Sequence, residues 1–168
     1  MTENTLPLVV CDAGPVIHLD ELGCLDLLSS FSRVLVPFAV WQEVQHHRPW
    51  ALALPCLEKT SAIKPEPPEL EAISLALSLH TGEWEAIRVA LENPSSVLLT
   101  DDTAARLAAG NLGIRVHGTI GILIRAVRKG LRTKTIVLDI LRSIPNRSSL
   151  HLKPSLLETV IKQVEDYQ

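Results

Sequence analysis

Asp12 follows the apolar run Leu6–Cys11, and Asp101 and Asp102 follow the apolar run Ser96–Thr100. A carboxylate placed directly after a buried strand is desolvated by its neighbours, a cost that a cation or hydrogen-bond donors must offset. Asp12 alone could be a helix cap for the turn that follows it. Acids after two strands, on the same rim of one sheet, weaken that reading. Two more acids could join them. Glu43 lies in the otherwise uncharged stretch VPFAVWQEVQ, so it either turns towards the rim or is an exposed helix residue. Glu83 follows Thr81-Gly82 at a helix start, where a carboxylate favours the macrodipole in any case, and Glu85 competes with it.

Three or four carboxylates drawn together repel one another when bare. A hard divalent cation resolves this, held by one or two direct oxygens with waters and a substrate phosphate completing its shell. Such an ion generates hydroxide and stabilises in-line displacement at phosphorus. Phosphodiester hydrolysis is the chemistry these residues support. The charge pattern agrees: from Thr103 to Leu138 there are seven basic residues and no acid, whereas from Glu58 to Glu92 there are seven acids against three bases. Arg125, Arg128, Lys129 and Arg132 recur at the spacing of one helical face, which either holds a polyanion or is simply solvated.

These residues need a scaffold, and the chain reads as one. Its 168 residues suit a single domain with its own core. Apolar residues make up 46% and charged residues 21%, which excludes disorder, and with only 4% aromatics the core must be aliphatic. Net charge is −3, so the whole chain does not attract nucleic acid. Three cysteines without a CxxC fit a reducing compartment. No apolar run reaches the length of a membrane span, and the N-terminus lacks the basic region of a signal peptide. A soluble, cytoplasmic protein without membrane partners is the expectation.

Leu6–Cys11, Val34–Val36, Ser96–Thr100 and Ile114–Val116 read as short strands, with an edge strand near Ile63 in the proline-rich stretch 49–68. Helical spacing covers Val16–Phe31 (broken near Gly23), Phe38–His46, Pro68–His80, Glu83–Glu92, Thr103–Leu112, Thr119–Lys129 with Thr119 as cap, Thr135–Ile144 and Pro154–Tyr167. Strands alternating with helices predict a parallel sheet covered on both faces, with ligands at the carboxyl ends of its strands. Other phosphate chemistries fit worse. There is no GxxxxGK[ST], Gly14 stands where a haloacid-type phosphatase needs its second aspartate, and the mid-chain strand a receiver domain requires is replaced by prolines.

The segments VVCDAGPVIHL, VPFAVWQEV, TGEWEAIRVA, LLTDDTAARLAA and HGTIGILIRAVRKGL, in that order, resemble a PIN-domain protein. The resemblance is to the superfamily of the VapC-type toxins, nearest to a PIN-like prokaryotic branch. It covers residues 7–132, the core of a single domain over 1–168, with 133–168 as a helical C-terminal extension. It implies a three-layer α/β/α sandwich on a mostly parallel sheet and Mg²⁺- or Mn²⁺-dependent endoribonuclease activity, often on single-stranded RNA. By the resemblance, the catalytic acids are Asp12, Glu43, Glu83 and either Asp101 or Asp102. A T-x-D pattern counted from Thr100 favours Asp102, so Asp12, Glu43 and Asp102 would be the metal ligands. Glu83 stands where the family usually has an aspartate. Thr100 could bond a carboxylate or phosphate, Thr119 sits at a helix start suited to an anion, and Arg125, Arg128 and Lys129 would meet RNA. The resemblance also implies a homodimer and a small antitoxin protein that blocks the acidic site. The competing expectation is a PIN-like binding module without turnover. His18 and His117 read as packing or hydrogen-bonding residues, Trp41, Trp84 and Cys11 as buried packing residues, His46 and His47 as favourable charges at a helix end, and Trp50 as a packing residue or one that stacks a base or meets a partner.

Overall fold

The computed structural model describes residues 7–167, so Leu6 of the expected first strand lies outside the described residues. The apolar, β-branched run Leu8–Cys11 forms β1 at the centre of the sheet. It pairs in parallel with β2 (Arg33–Pro37) on one side and β4 (Val97–Leu99) on the other. β3 (Leu57–Thr60) extends the sheet beyond β2, and β5 (Val116–His117) extends it beyond β4. The order β3-β2-β1-β4-β5 is parallel throughout, and the chain reverses its direction of growth at β1. The gap between β1 and β4 is therefore a topological switch point, where α/β sheets bind ligands at their carboxyl ends.

Strand alternation sorts the core into two layers. Val9, Cys11, Val34, Val36, Val97 and Leu99 face one layer, with α1 (Ala13–Glu21), α2 (Phe38–His47), α6 (Thr119–Arg128), α7 (Lys134–Arg147) and α8 (Pro154–Asp166). Val10, Leu35 and Leu98 face the other, with α3 (Pro68–Leu77), α4 (Thr81–Glu92) and α5 (Thr103–Asn111). The result is the three-layer α/β/α sandwich. Helices α7 and α8 bury Val137, Leu141, Ile144, Val160 and Val164 in the same core as β1, so these two helices are continuous with it.

Several elements differ from the sequence reading, each for a local reason. The helix expected over Val16–Phe31 starts at Ala13 and ends at Glu21, because Gly23 turns the chain at φ +70° and Leu25–Ser30 rewinds as a 3₁₀ helix. The edge strand forms at Leu57–Thr60, not at Ile63. Ile63 is exposed, and its amide donates to Glu92 rather than to a strand. The last strand sits two residues later than expected, at Val116–His117. Gly118, not Thr119, caps α6, because the Thr119 hydroxyl has another partner. Helix α7 continues through Pro145 to Arg147.

Candidate active site

The site is assembled where β1 and β4 end. Cys11 pairs with Leu99, and the Asp12 amide donates to the Leu99 carbonyl at 2.9 Å, so Asp12 and Thr100 leave the sheet side by side. Asp12 is also the N-cap of α1, its Oδ1 accepting from the Ala13 amide at 2.8 Å, while Oδ2 accepts from the Thr100 hydroxyl at 2.8 Å. The cap reading of Asp12 is thus correct as far as it goes, but it does not account for the charge. Asp12 is buried, and burial pushes its pKa from 3.8 up to about 6. The two hydrogen bonds oppose that shift, and the negative charges of Glu83 and Glu43 add to it.

Glu43 reaches the same place from α2. A Cβ added to Gly82 at the start of α4 would sit 3.5 Å from Glu43 Oε2 and 4.0 Å from Asp12 Oδ1. Gly82 therefore keeps open a small space that both carboxylates border. Glu83 also borders the cavity, but it closes a capping box: its Oε2 accepts from the His80 amide at 2.8 Å. Its rival Glu85 points elsewhere and accepts from the Ala39 amide at 2.6 Å, serving as a cap for α2 that Pro37 cannot supply.

Asp101 and Asp102 divide their work. Asp101 Oδ1 accepts from the Thr119 amide at 2.8 Å, and Oδ2 accepts from the Thr119 hydroxyl at 2.6 Å and faces His18 Nδ1 at 2.8 Å. Burial opposes its charge, but the bonds from His18 and Thr119 outweigh it and hold the carboxyl below its ordinary range. The helix start at Thr119 does meet an anion, and that anion is Asp101. Asp102 caps α5 by accepting from the Ala105 amide at 2.8 Å through Oδ1, leaving Oδ2 without a hydrogen-bond partner among the described residues.

All five acids line one cavity of about 430 Å³, together with Gly14, His18, His80, Gly82, Leu150 and His151. The donor set is hard oxygen, the class that Mg²⁺ and Mn²⁺ prefer. Asp12 and Glu43 both border the space beside Gly82, and the Glu43 charge adds to the rise in the Asp12 pKa. Among the described residues no three acid, histidine or cysteine side chains close on a single point. The residues therefore fit an ion held by one or two carboxylates and completed by water, with Asp12 and Glu43 able to hold it and Asp102 in the same cavity.

The basic stripe does not join this cavity. Arg125, Arg128 and Lys129 line a separate one of about 510 Å³, with Arg115, His117 and an apolar floor that includes Phe31, Leu99 and Ile122. Arg125 is committed inside the fold, donating to the Ser30 hydroxyl and carbonyl at 2.6 and 3.0 Å and stacking on Phe31. Of the histidines, His18 is a hydrogen-bonding residue, its Nδ1 facing Asp101 Oδ2 at 2.8 Å. Its i, i+4 relation to Gly14 on α1 was the signal available for it. His151 could not be found from spacing. It arrives on the loop between α7 and α8, which Glu21 clasps through Ser148 Oγ at 2.8 Å and the Ser149 amide at 2.7 Å. Trp84 and Trp41 are half-buried, and the exposed Trp50 donates to Asp20 at 2.9 Å.

No curated protein matches the chain. A family model does, and it agrees with the parallel sheet flanked by helices. The model is DUF3368, described as a PIN domain, and it matches residues 8–166; the chain belongs to the PIN-domain family.

Proposed function

We propose that the protein is a metal-dependent endoribonuclease that hydrolyses single-stranded RNA at the acidic cavity. PIN domains are generally nucleases, and the finer reading rests on one observation. Asp12 is buried at the switch point with Glu43 and Glu83 pressing on it, in a cavity lined by hard oxygen donors. Bound there, Mg²⁺ or Mn²⁺ supplies an activated water and neutralises charge developing on the phosphate. The chain's own residues fix that chemistry in place. Thr100 and the Ala13 amide hold Asp12 in one orientation, and the Asp102 cap holds the start of α5 beside it.

The test is cleavage of labelled single-stranded RNA with Mg²⁺, with Mn²⁺ and with EDTA, by the wild type and by Asp12→Asn. The expected result is metal-dependent cutting that falls to background in the variant. Equal cutting by both proteins is contaminating nuclease and ends the assignment. A second reading is a PIN-like module that binds RNA or a protein without turnover. Metal-dependent RNA binding without cleavage would establish it. A toxin role, with an antitoxin protein covering the acidic cavity, and a homodimer belong to the first reading. Sedimentation and inhibition assays test them separately.

A further inference from the structure

Hydrolysis of a phosphodiester requires a proton acceptor for the attacking water and a proton donor for the departing alkoxide oxygen. The acidic cavity is rich in acceptors. Its lining includes Asp12, Glu43, Glu83, Asp101 and Asp102 but no Lys, Arg, Tyr or Cys, and its basic side chains are the imidazoles of His18, His80 and His151. His80 and His151 are exposed, and the His80 side chain is 88% accessible, its ring 3.4 Å from Glu83. The His18 side chain is only 13% accessible, and it is held.

The hold determines which nitrogen is available. His18 Nδ1 is 2.8 Å from Asp101 Oδ2, and the Thr119 amide and hydroxyl donate one to each oxygen of that carboxylate. An ionised carboxylate can only accept, so the hydrogen in that contact belongs to Nδ1. Nε2 is the nitrogen left for the cavity. Gly14, one turn earlier on α1, leaves the approach bare: a Cβ there would lie 3.5 Å from His18 Cε1 and 3.6 Å from Asp101 Oδ2. A carboxylate that orients one ring nitrogen so that the other can exchange protons with a substrate is a recurrent catalytic arrangement.

We propose that His18 is the general acid of the cleavage reaction, with Asp101 and Thr119 as its positioning residues. The proposal rests on the nuclease reading above. The attacking water forms the new P–O bond and gives up one proton to a cavity carboxylate. The P–O bond to the leaving nucleoside oxygen breaks with its electron pair on that oxygen, which takes the proton from Nε2. The imidazolium becomes neutral imidazole, still donating Nδ1–H to Asp101, and solvent restores its proton before the next turnover.

The experiment compares His18→Gln with the wild type on two substrates, single-stranded RNA and bis(p-nitrophenyl) phosphate, whose nitrophenolate leaves without a proton. RNA cleavage should fall by about 10²–10⁴-fold, the usual worth of a general acid. Hydrolysis of the nitrophenyl ester should stay within a few-fold, and the Mn²⁺-induced rise in Tm should be unchanged. Asp101→Asn, which keeps the shape of the carboxylate and removes its charge, should show the same selectivity between substrates, and it serves if His18→Gln folds poorly. Equal losses on the two substrates would reduce His18 to a structural clamp, and no loss on RNA would remove it from the reaction. Failure of the wild type to cut either substrate with metal overturns the nuclease reading, and this proposal with it.

Discussion

Thr100 donates its hydroxyl to Asp12 at 2.8 Å across 88 residues of sequence, and sheet register makes the contact unavoidable. Once Cys11 pairs with Leu99, the next residue of each strand must emerge beside the other. The same hydroxyl accepts from the Asp102 amide at 3.2 Å, so one buried oxygen ties the end of β1 to the start of α5. Thr100 is fully buried, which a lone threonine hydroxyl tolerates only when it is bonded in this way. The acids at the two strand ends are thus coupled through a neutral side chain before any ion is considered.

Asp12 should make the metal-free protein less stable as the pH rises. Its pKa is about 6 in the folded protein, against 3.8 for the ordinary side chain, so between those values the folded state holds more protons than the unfolded state. Stability is therefore highest below about pH 4 as far as this group is concerned, and it is lost as the pH rises through about 6. A shift of that size corresponds to about 3 kcal/mol. In urea denaturation with EDTA, Asp12→Asn should gain about 2 kcal/mol on the wild type between pH 4.5 and pH 7.5, the rest of the difference arising below pH 4.5. Mn²⁺ should then stabilise the wild type but not the variant. A gap that does not change with pH would show that the Asp12 carboxyl ionises normally.

Gly118 is needed for space, not for an unusual backbone angle. Its φ is −116°, but a Cβ there would lie 2.5 Å from Asp101 Oδ1, 2.8 Å from Arg106 Nη2 and 3.2 Å from the Thr100 carbonyl. Gly118→Ala must push Asp101 off the Thr119 amide, at a cost of about 1–3 kcal/mol in the range typical of overpacking. Gly110 is the control: it lies within α5, and among the described residues nothing comes within 4 Å of an added Cβ. Gly110→Ala should stabilise by about 0.5–1 kcal/mol. Thermal melts of the two variants should move in opposite directions, and a neutral Gly118→Ala would mean that Asp101 is not tightly held.

What could be read from the sequence was what local pattern controls. An acid after a β-branched run marks the end of a buried strand, so Asp12, Asp101 and Asp102 could be placed on one rim without the fold. Glu43 could be noticed because its helix is otherwise uncharged. The division of labour among the acids could not be read, because it depends on partners far along the chain. His18 meets Asp101 across 83 residues, Glu85 caps a helix 46 residues before it, and Glu21 clasps Ser148 across 127. Helical spacing could not show which cavity the basic residues border, nor that α6 ends at Arg128 before Arg132.

Arg128 and Lys129 should therefore matter for long substrates and not for short ones. Helix α6 begins at Thr119, bonded to Asp101 in the acidic cavity, and ends at Arg128 beside the basic one. Ten residues at 1.5 Å each separate the two ends by roughly 14 Å, a span of a few nucleotides. A polyanion gripped at the basic end can present its scissile phosphate at the acidic end, whereas a trinucleotide held at the acidic cavity reaches neither cation. Arg128→Ala combined with Lys129→Ala should raise the KM for a 20-nucleotide RNA and leave kcat unchanged. Losing two phosphate contacts should also flatten the dependence of log binding constant on log salt by about 1.4, at roughly 0.7 per contact for a single strand. Trinucleotide cleavage should not change. Equal effects on the two lengths would place these side chains at the reacting phosphate, and no effect on either would leave the basic cavity outside the path of the RNA.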